Sequence, residues 1–451
     1  MDDPPPQTRT ARPPRAWVAL FVAVCAGFAA APVVNAARHP ASNKDYSLWY
    51  AVGLRARSGA PLYPDDPRAE FPYLYPPPLA TCVFAPLTRL GPVGFVLALV
   101  AANAAAWAAA LYLSARLAAG AGRVPPLAYA LPAAATAPYV WDTFLLGQVN
   151  LVLLALVLGS LLALRHGRPW LAGAGLGLAV AVKAFPLPVV VYFAARRQWA
   201  AVASTLLTAA AVLALLPAPA RGFDRNLREL GAWARGMLGD QSGGSMAQRS
   251  SIGFTRRNQS LESVAHRLLR PVEAGDRDGV PFRVNVADAG PAAARVTGLG
   301  GCLVLGAVLL LATRCRFASG PRAEGQEAGM VLALTVLCSP LAWTYFFCWL
   351  MPAWAAAGAH LAGRPRWSAV VGFGLAGALA AGAASELYDP LIQAYGATAW
   401  AAVALFLTLA LVRFREPDAG REPPRVIAPP GRVVAARACR PRPASRTGPA
   451  P

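Results

Sequence analysis

Between residues 16 and 412 the chain is a succession of long apolar stretches separated by short loops that carry arginines. That alternation leaves few folds open. Stretches of this length, rich in Ala and Leu and lacking a ten-residue alternation, predict membrane-crossing helices rather than barrel strands. Only 14% of the residues are charged and 56% are hydrophobic, whereas soluble domains carry about 25% charged residues. The expected fold is all-α and polytopic.

Arginines in short loops mark the cytoplasmic side. Here they are Arg12 and Arg15, Arg116 and Arg123, Arg165 and Arg168, Arg196 and Arg197, Arg314 and Arg316, Arg364 and Arg366, and Arg413 and Arg415. Between these groups the apolar stretches fall near 16–34, 92–117, 125–141, 148–164, 169–182, 184–195, 199–217, 296–313, 328–344, 345–361, 367–385 and 395–412. Twelve spans put both termini in the cytoplasm. The first is read as a retained anchor rather than a cleaved signal peptide, since eleven more follow it. The domain plan is a cytoplasmic tail at 1–15, a transmembrane domain at 16–412 and a basic, proline-rich, disordered tail at 413–451. Two outer loops, 35–78 and 218–295, are long.

Two stretches are short for spans. Residues 169–195 must cross twice and read as two short helices meeting at Lys183-Ala184-Phe185-Pro186. Residues 76–90, bounded by prolines, read as interfacial or re-entrant, although three short spans before Arg116 would give the same sidedness. The net charge of +20 is explained by loops and tail. No RNA- or DNA-binding pattern accompanies it, so nucleic acid is not an expected partner. Membrane lipids are.

The first outer loop opens with NKDYSLWYAVGLRARSGAPLY at 43–63. Tyr46, Trp49, Tyr50, Gly53, Leu54 and Arg57 recur at steps of three and four, which predicts an amphipathic helix at a membrane–water boundary. Asp45 would sit in its first turn, as a base or as an aspartate favoured by the helix dipole. Asp65, Asp66, Glu70 and Asp142 are rival carboxylates on the same side.

Ionisable groups inside a membrane are costly and mark function by default. Lys183 lies between LAGAGLGLAVAV and AFPLPVVV; it fits a cation for a lipid-linked phosphate, and also a snorkelling or carboxylate-paired lysine. Gln148 and Asn150 sit at a helix start, suited to a headgroup or to capping. In the large loop Arg256, Arg257, Asn258 and Gln259 form the most polar block. Arginine pairs phosphate oxygens in two-point geometry, and a solvated charge run is the plainer alternative. Trp343 ends an apolar stretch after Ser339-Pro340, where a boundary tryptophan is ordinary. No metal-ligand spacing, phosphate-binding loop or nucleophile elbow is present, so no metal or cofactor is expected.

Seven blocks in order resemble glycosyltransferase family 87, a C-type family using polyprenyl-phosphate sugars. They are Asp45-Tyr46 with Gly59-Ala60-Pro61-Leu62-Tyr63; Tyr73-Leu74-Tyr75-Pro76-Pro77; Ala85-Pro86-Leu87; Gly147-Gln148-Val149-Asn150; Ala172-Gly173 leading to Lys183-Ala184-Phe185-Pro186; Asn258-Gln259-Ser260-Leu261; and Ser339-Pro340 with Trp343. The resemblance implies a membrane enzyme that moves a hexose or pentose, mannose foremost, from a polyprenyl-phosphate donor to a glycolipid or glycan acceptor. The reaction would run on the outer face of the plasma membrane with inversion. Asp45 would be the general base, with Lys183, Gln148, Asn150, Arg256, Arg257, Asn258, Gln259, Tyr46, Tyr75 and Trp343 binding substrate or donor phosphate.

The chain departs from many relatives after Trp343, where Thr344-Tyr345-Phe346 stands in place of a nearby histidine. A second reading, a non-catalytic transporter or flippase of lipid-linked sugars, would require a continuous polar path through the spans. Apart from Lys183 they are nearly free of charge, and no internal repeat appears.

Overall fold

The structure, a computed structural model, describes residues 15–63, 75–120, 122–238, 254–277, 279–313, 320–363, 365–384 and 390–415. The rival carboxylates Asp65, Asp66 and Glu70, and the Tyr73-Leu74 pair, lie outside these residues.

Eighteen helices account for nearly all of the described secondary structure. The first group is α1 (Arg15–Arg38), α2 (Lys44–Arg57), the short α3 (Ala85–Leu87), α4 (Gly91–Ala119), α5 (Leu127–Leu146), α6 (Asn150–Arg165), α7 (Pro169–Val182), α8 (Pro188–Ala195) and α9 (Trp199–Ala214). Then come α10 (Ala218–Arg221), α11 (Phe223–Leu238), α12 (Leu261–Leu269), α13 (Gly290–Ala312), α14 (Pro321–Leu337), α15 (Met351–Leu361), α16 (Trp367–Ala384), α17 (Pro390–Ala394) and α18 (Ala397–Arg415). A two-stranded antiparallel hairpin, β1 (Gly275–Arg277) with β2 (Val280–Phe282), sits in the large loop.

Helix occupies all or part of each of the twelve apolar stretches, and the protein is an all-α, multi-pass membrane protein. Among the described residues, six segments are long and apolar enough to cross a membrane on their own: Ala16–Arg38, Leu79–Ala119, Trp199–Arg221, Gly290–Ala312, Trp367–Ala384 and Ala397–Arg415. Several of the others are short or interrupted. The 169–195 stretch is two helices, broken where Lys183 adopts an extended conformation at the end of α7.

Packing follows from small residues. Where α7 lies on α9, a Cβ placed on Gly177 would come within 2.6 Å of the Thr205 carbonyl, so glycine lets the two backbones approach. At the far ends of these helices, Arg165 donates to Glu324 at 2.7 Å and to the carbonyls of Arg116 and Leu117. Arg196 lies 3.8 Å from the same glutamate. Arginines at the C-terminal ends of α4, α6 and α8 thus meet at one end of the protein.

The helix predicted in the 43–63 stretch is present, and one of its faces packs on protein. Tyr46, Trp49, Val52, Gly53 and Ala56 are its buried residues, while Leu54 is exposed. The aromatic face is turned onto protein. A Cβ on Gly53 would meet Thr88 Cγ2 at 2.7 Å and the Phe84 carbonyl at 2.9 Å, which is how closely α2 lies on the 79–90 segment.

Candidate active site

Asp45 stands in the first turn of α2, after Lys44, whose φ of 49° lies in the left-handed region. Such a conformation costs of order 1 kcal/mol or more in a residue with a Cβ and persists only where surroundings hold it. Asn43 supplies part of the hold: its amide donates to the Pro32 carbonyl and accepts from Asn35, both at 2.9 Å. The far end of α2 is held as well. Arg221, buried and ion-paired with Glu229, donates to the Ala56 and Ala60 carbonyls.

The middle of α2 docks on the turn between α5 and α6. Tyr46 Oη donates to the Phe144 carbonyl at 2.6 Å, and Trp49 Nε1 donates to the Gly147 carbonyl at 3.1 Å. Gly147 has φ of 76°, and a Cβ there would stand 2.8 Å from the Tyr46 ring. Glycine is required twice over, for the backbone conformation and for the approach of Tyr46.

This docking brings Asp45 onto Gln148. Gln148 Nε2 donates to Asp45 Oδ2 at 2.6 Å, and Gln148 Oε1 accepts from Tyr75 Oη at 2.5 Å. Lys183 Nζ donates to Tyr75 Oη at 3.3 Å and to Asn150 Oδ1 at 3.2 Å. The ammonium also lies over the Phe346 ring, 4.2 Å from its centroid. Five side chains from α2, the 75–78 segment, the α5–α6 turn and the α7–α8 break therefore form one hydrogen-bonded chain, with a carboxylate at one end and an ammonium near the other. Gln148 and Asn150 do not cap α6: its N-cap is Val149, with no side-chain cap bond.

Among the described residues Asp45 has a single hydrogen-bond donor, Gln148, which leaves its second oxygen with open lone pairs. Burial lifts its carboxyl above the usual aspartate range, while the Gln148 hydrogen bond and the charges of Lys183 and Lys44 pull it partly back. Burial, and then the Asp45 charge, also raise the Tyr75 phenol, so Tyr75 stays a protonated donor.

The other predicted residues are placed differently. Asn258 donates to the Pro340 carbonyl at 2.8 Å, and its Oδ1 accepts from the Ser260 and Ala342 amides. Gln259 donates its side-chain amide to the Arg256 and Gln393 carbonyls. Trp343 pairs with Asn258 in an isolated antiparallel bridge. These residues staple the large loop to the Ser339-Pro340 element, and Arg267 backs them with bonds to the Thr255, Asn258 and Ala394 carbonyls. The Arg256 guanidinium lies against Gly275 of the hairpin. Arg257 is exposed, and its charge acts on Asp142.

Sequence reasoning passed over several supports. Asn103, inside α4, donates to the Gln148 carbonyl at 3.0 Å; a lone asparagine in an apolar span was the available signal. Trp349 Nε1 holds the Asn150 carbonyl, and Tyr63 holds the Tyr75 carbonyl. Tyr63 closes the Gly59–Tyr63 block, and nothing in its sequence context marks Trp349.

The fold and this arrangement define a class: a polytopic helical membrane protein whose polar centre is assembled from the amphipathic helix α2 and the ends of the helices it rests on. Within that class the chain belongs to glycosyltransferase family 87, whose sequence profile matches residues 73–340, more than half of its length. The matched stretch includes Tyr75, Gln148, Asn150, Lys183 and 256–259; it begins after Asp45 and ends before Trp343. The chain is also similar to a polyprenol-phosphate-mannose-dependent alpha-(1-2)-phosphatidylinositol pentamannoside mannosyltransferase of Mycolicibacterium smegmatis, with 30% identity over 313 residues. That alignment covers 64% of this chain and 62% of the relative, so the chain spans less than two thirds of the relative's length. No solved structure matches the chain.

Proposed function

We propose that the protein is a membrane glycosyltransferase that moves a sugar, mannose foremost, from a polyprenyl-phosphate donor to a glycolipid or glycan acceptor. Asp45 is the general base. Its free oxygen takes the proton of an acceptor hydroxyl as that hydroxyl's oxygen attacks the anomeric carbon. The bond from that carbon to the phosphate oxygen breaks on the opposite face, with inversion, and the polyprenyl phosphate leaves with both electrons. Lys183 meets the charge developing on the phosphate.

The observation that carries this reading is the chain from Asp45 through Gln148 and Tyr75 to Lys183 and Asn150. It holds a carboxylate with open lone pairs and an ammonium in one site, which a proton transfer and an anionic leaving group respectively require. The reading puts this site on the extracytoplasmic side of the plasma membrane, with both termini in the cytoplasm. The gathering of Arg116, Arg165 and Arg196 at the opposite helix ends supports that sidedness.

Membranes supplied with radiolabelled polyprenyl-phosphate mannose test it. The wild type should transfer label, and Asp45→Asn should lower the rate by roughly 10²–10⁴-fold, the usual worth of general-base catalysis, at equal expression. Full activity in that variant would remove Asp45 from the mechanism.

A further inference from the structure

The chain of bonds from Asp45 to Lys183 leaves a second carboxylate unused. Asp142 lies in the last part of α5, partly exposed. Thr344 Oγ1 donates to its Oδ2 at 2.6 Å, and among the described residues this is its only hydrogen bond. The other oxygen keeps open lone pairs.

Arg257 bears on this carboxylate by its charge, and Trp343 and Tyr345 flank its hydrogen-bond partner Thr344 in the chain. The exposed Arg257 brings a positive charge to it from the large loop. Trp343, whose ring is partly exposed, directly precedes Thr344. The ring of Tyr345, the next residue, lies with its centroid 5.5 Å from the Lys183 ammonium. Thr344, bonded to Asp142, thus adjoins the residue whose ring the Lys183 ammonium of the Asp45 chain approaches, and the two carboxylates are linked through Thr344-Tyr345.

The chemistry of the set separates two ligands. An anionic donor phosphate is drawn to Lys183 and repelled by a second carboxylate. A neutral sugar presents hydroxyl donors for a carboxylate, oxygens for a guanidinium and a C–H face for an indole. We propose that Asp142, oriented by Thr344 and balanced by Arg257, is the subsite for the acceptor sugar. Its free oxygen accepts from a hydroxyl other than the attacking one, and so presents the attacking one to Asp45. Thr344 is a positioning residue in this arrangement. The inference rests on the glycosyl-transfer reading above.

The test uses the full chain in detergent with radiolabelled polyprenyl-phosphate mannose and n-octyl α-D-mannoside as the probe acceptor. Asp142→Asn should raise the KM for octyl mannoside on the order of 10- to 100-fold, the worth of one hydrogen bond to a charged group. The donor KM should move by no more than about twofold, since it involves no lost hydrogen bond. Thr344→Val should raise the acceptor KM by a smaller factor, and Thr344→Ser, which keeps the hydroxyl, should restore it. An unchanged acceptor KM in Asp142→Asn overturns the proposal. So does a donor KM that rises as much as the acceptor KM, or a lower melting temperature with all parameters reduced alike, because a purely structural tie would do that. Failure of the wild type to release or transfer any sugar from the donor, to octyl mannoside or to water, would instead remove the parent reading.

Discussion

Two polar clusters at the same end of the molecule use similar side chains in opposite ways. In the first, Asp45, Gln148, Tyr75, Lys183 and Asn150 bond mainly to one another through their side-chain tips. In the second, Asn258, Gln259 and Arg267 bond mainly to backbone carbonyls and amides. A side chain that satisfies backbone groups has its capacity consumed by the fold, because a buried backbone group left unpaired is costly. Side chains that hold only each other leave lone pairs and protons for a substrate. On the proposed reading the first cluster is a site and the second a clamp.

That contrast breaks most sharply at Lys183. Lys183→Met keeps the chain length and removes the charge; it should lower the transfer rate by roughly 10²–10³-fold, the cost of losing one preorganised donor at developing charge, with little change in melting temperature. Loss of folding without a separate loss of rate would make Lys183 part of a clamp. Asn258→Ala should do the reverse. It leaves the Ser260 and Ala342 amides unpaired and the Pro340 carbonyl with only the long Ser260 hydroxyl bond, costing on the order of 3 kcal/mol of stability, while the folded fraction keeps turning over. The check is thermal unfolding in detergent beside activity per folded protein.

The smallest of these effects is a shift in pH dependence. On the proposed mechanism Asp45 works ionised, so activity should fall as pH drops through its carboxyl pKa, which burial has already raised. The Gln148 hydrogen bond favours the ionised form, and Gln148→Leu removes it. The acid limb of kcat/KM should then move to higher pH. A limb that stays in place would show that Asp45 is not the group whose titration sets it.

The site was only partly legible in advance. Lys183 stood out because a lysine among twenty apolar residues has no cheap explanation. Gln148 and Asn150 stood out as polar residues at a helix junction, yet whether they capped the helix or faced a ligand was open until Gln148 was seen bridging Asp45 and Tyr75. Asn258 and Gln259 carried an equally polar signature, and their partners proved to be backbone groups some 80 and 130 residues distant in sequence. The aromatic stripe of α2 predicts an amphipathic helix at a membrane–water boundary, and apolar patterning alone does not say whether that stripe packs on lipid or on protein. Tyr46 and Trp49 settle it through their polar tips, which reach the carbonyls of Phe144 and Gly147.

The sequence by itself determined the helical, membrane-embedded architecture. Apolar length and arginine placement are local properties, set by the cost of burying backbone and charge in lipid. It also nominated Asp45, through the order of short blocks around it. The tertiary structure decided which polar residues share a site. Hydrogen bonds between Asp45 and Gln148, or Thr344 and Asp142, join positions about 100 and 200 residues apart, and such pairings depend on how the helices dock.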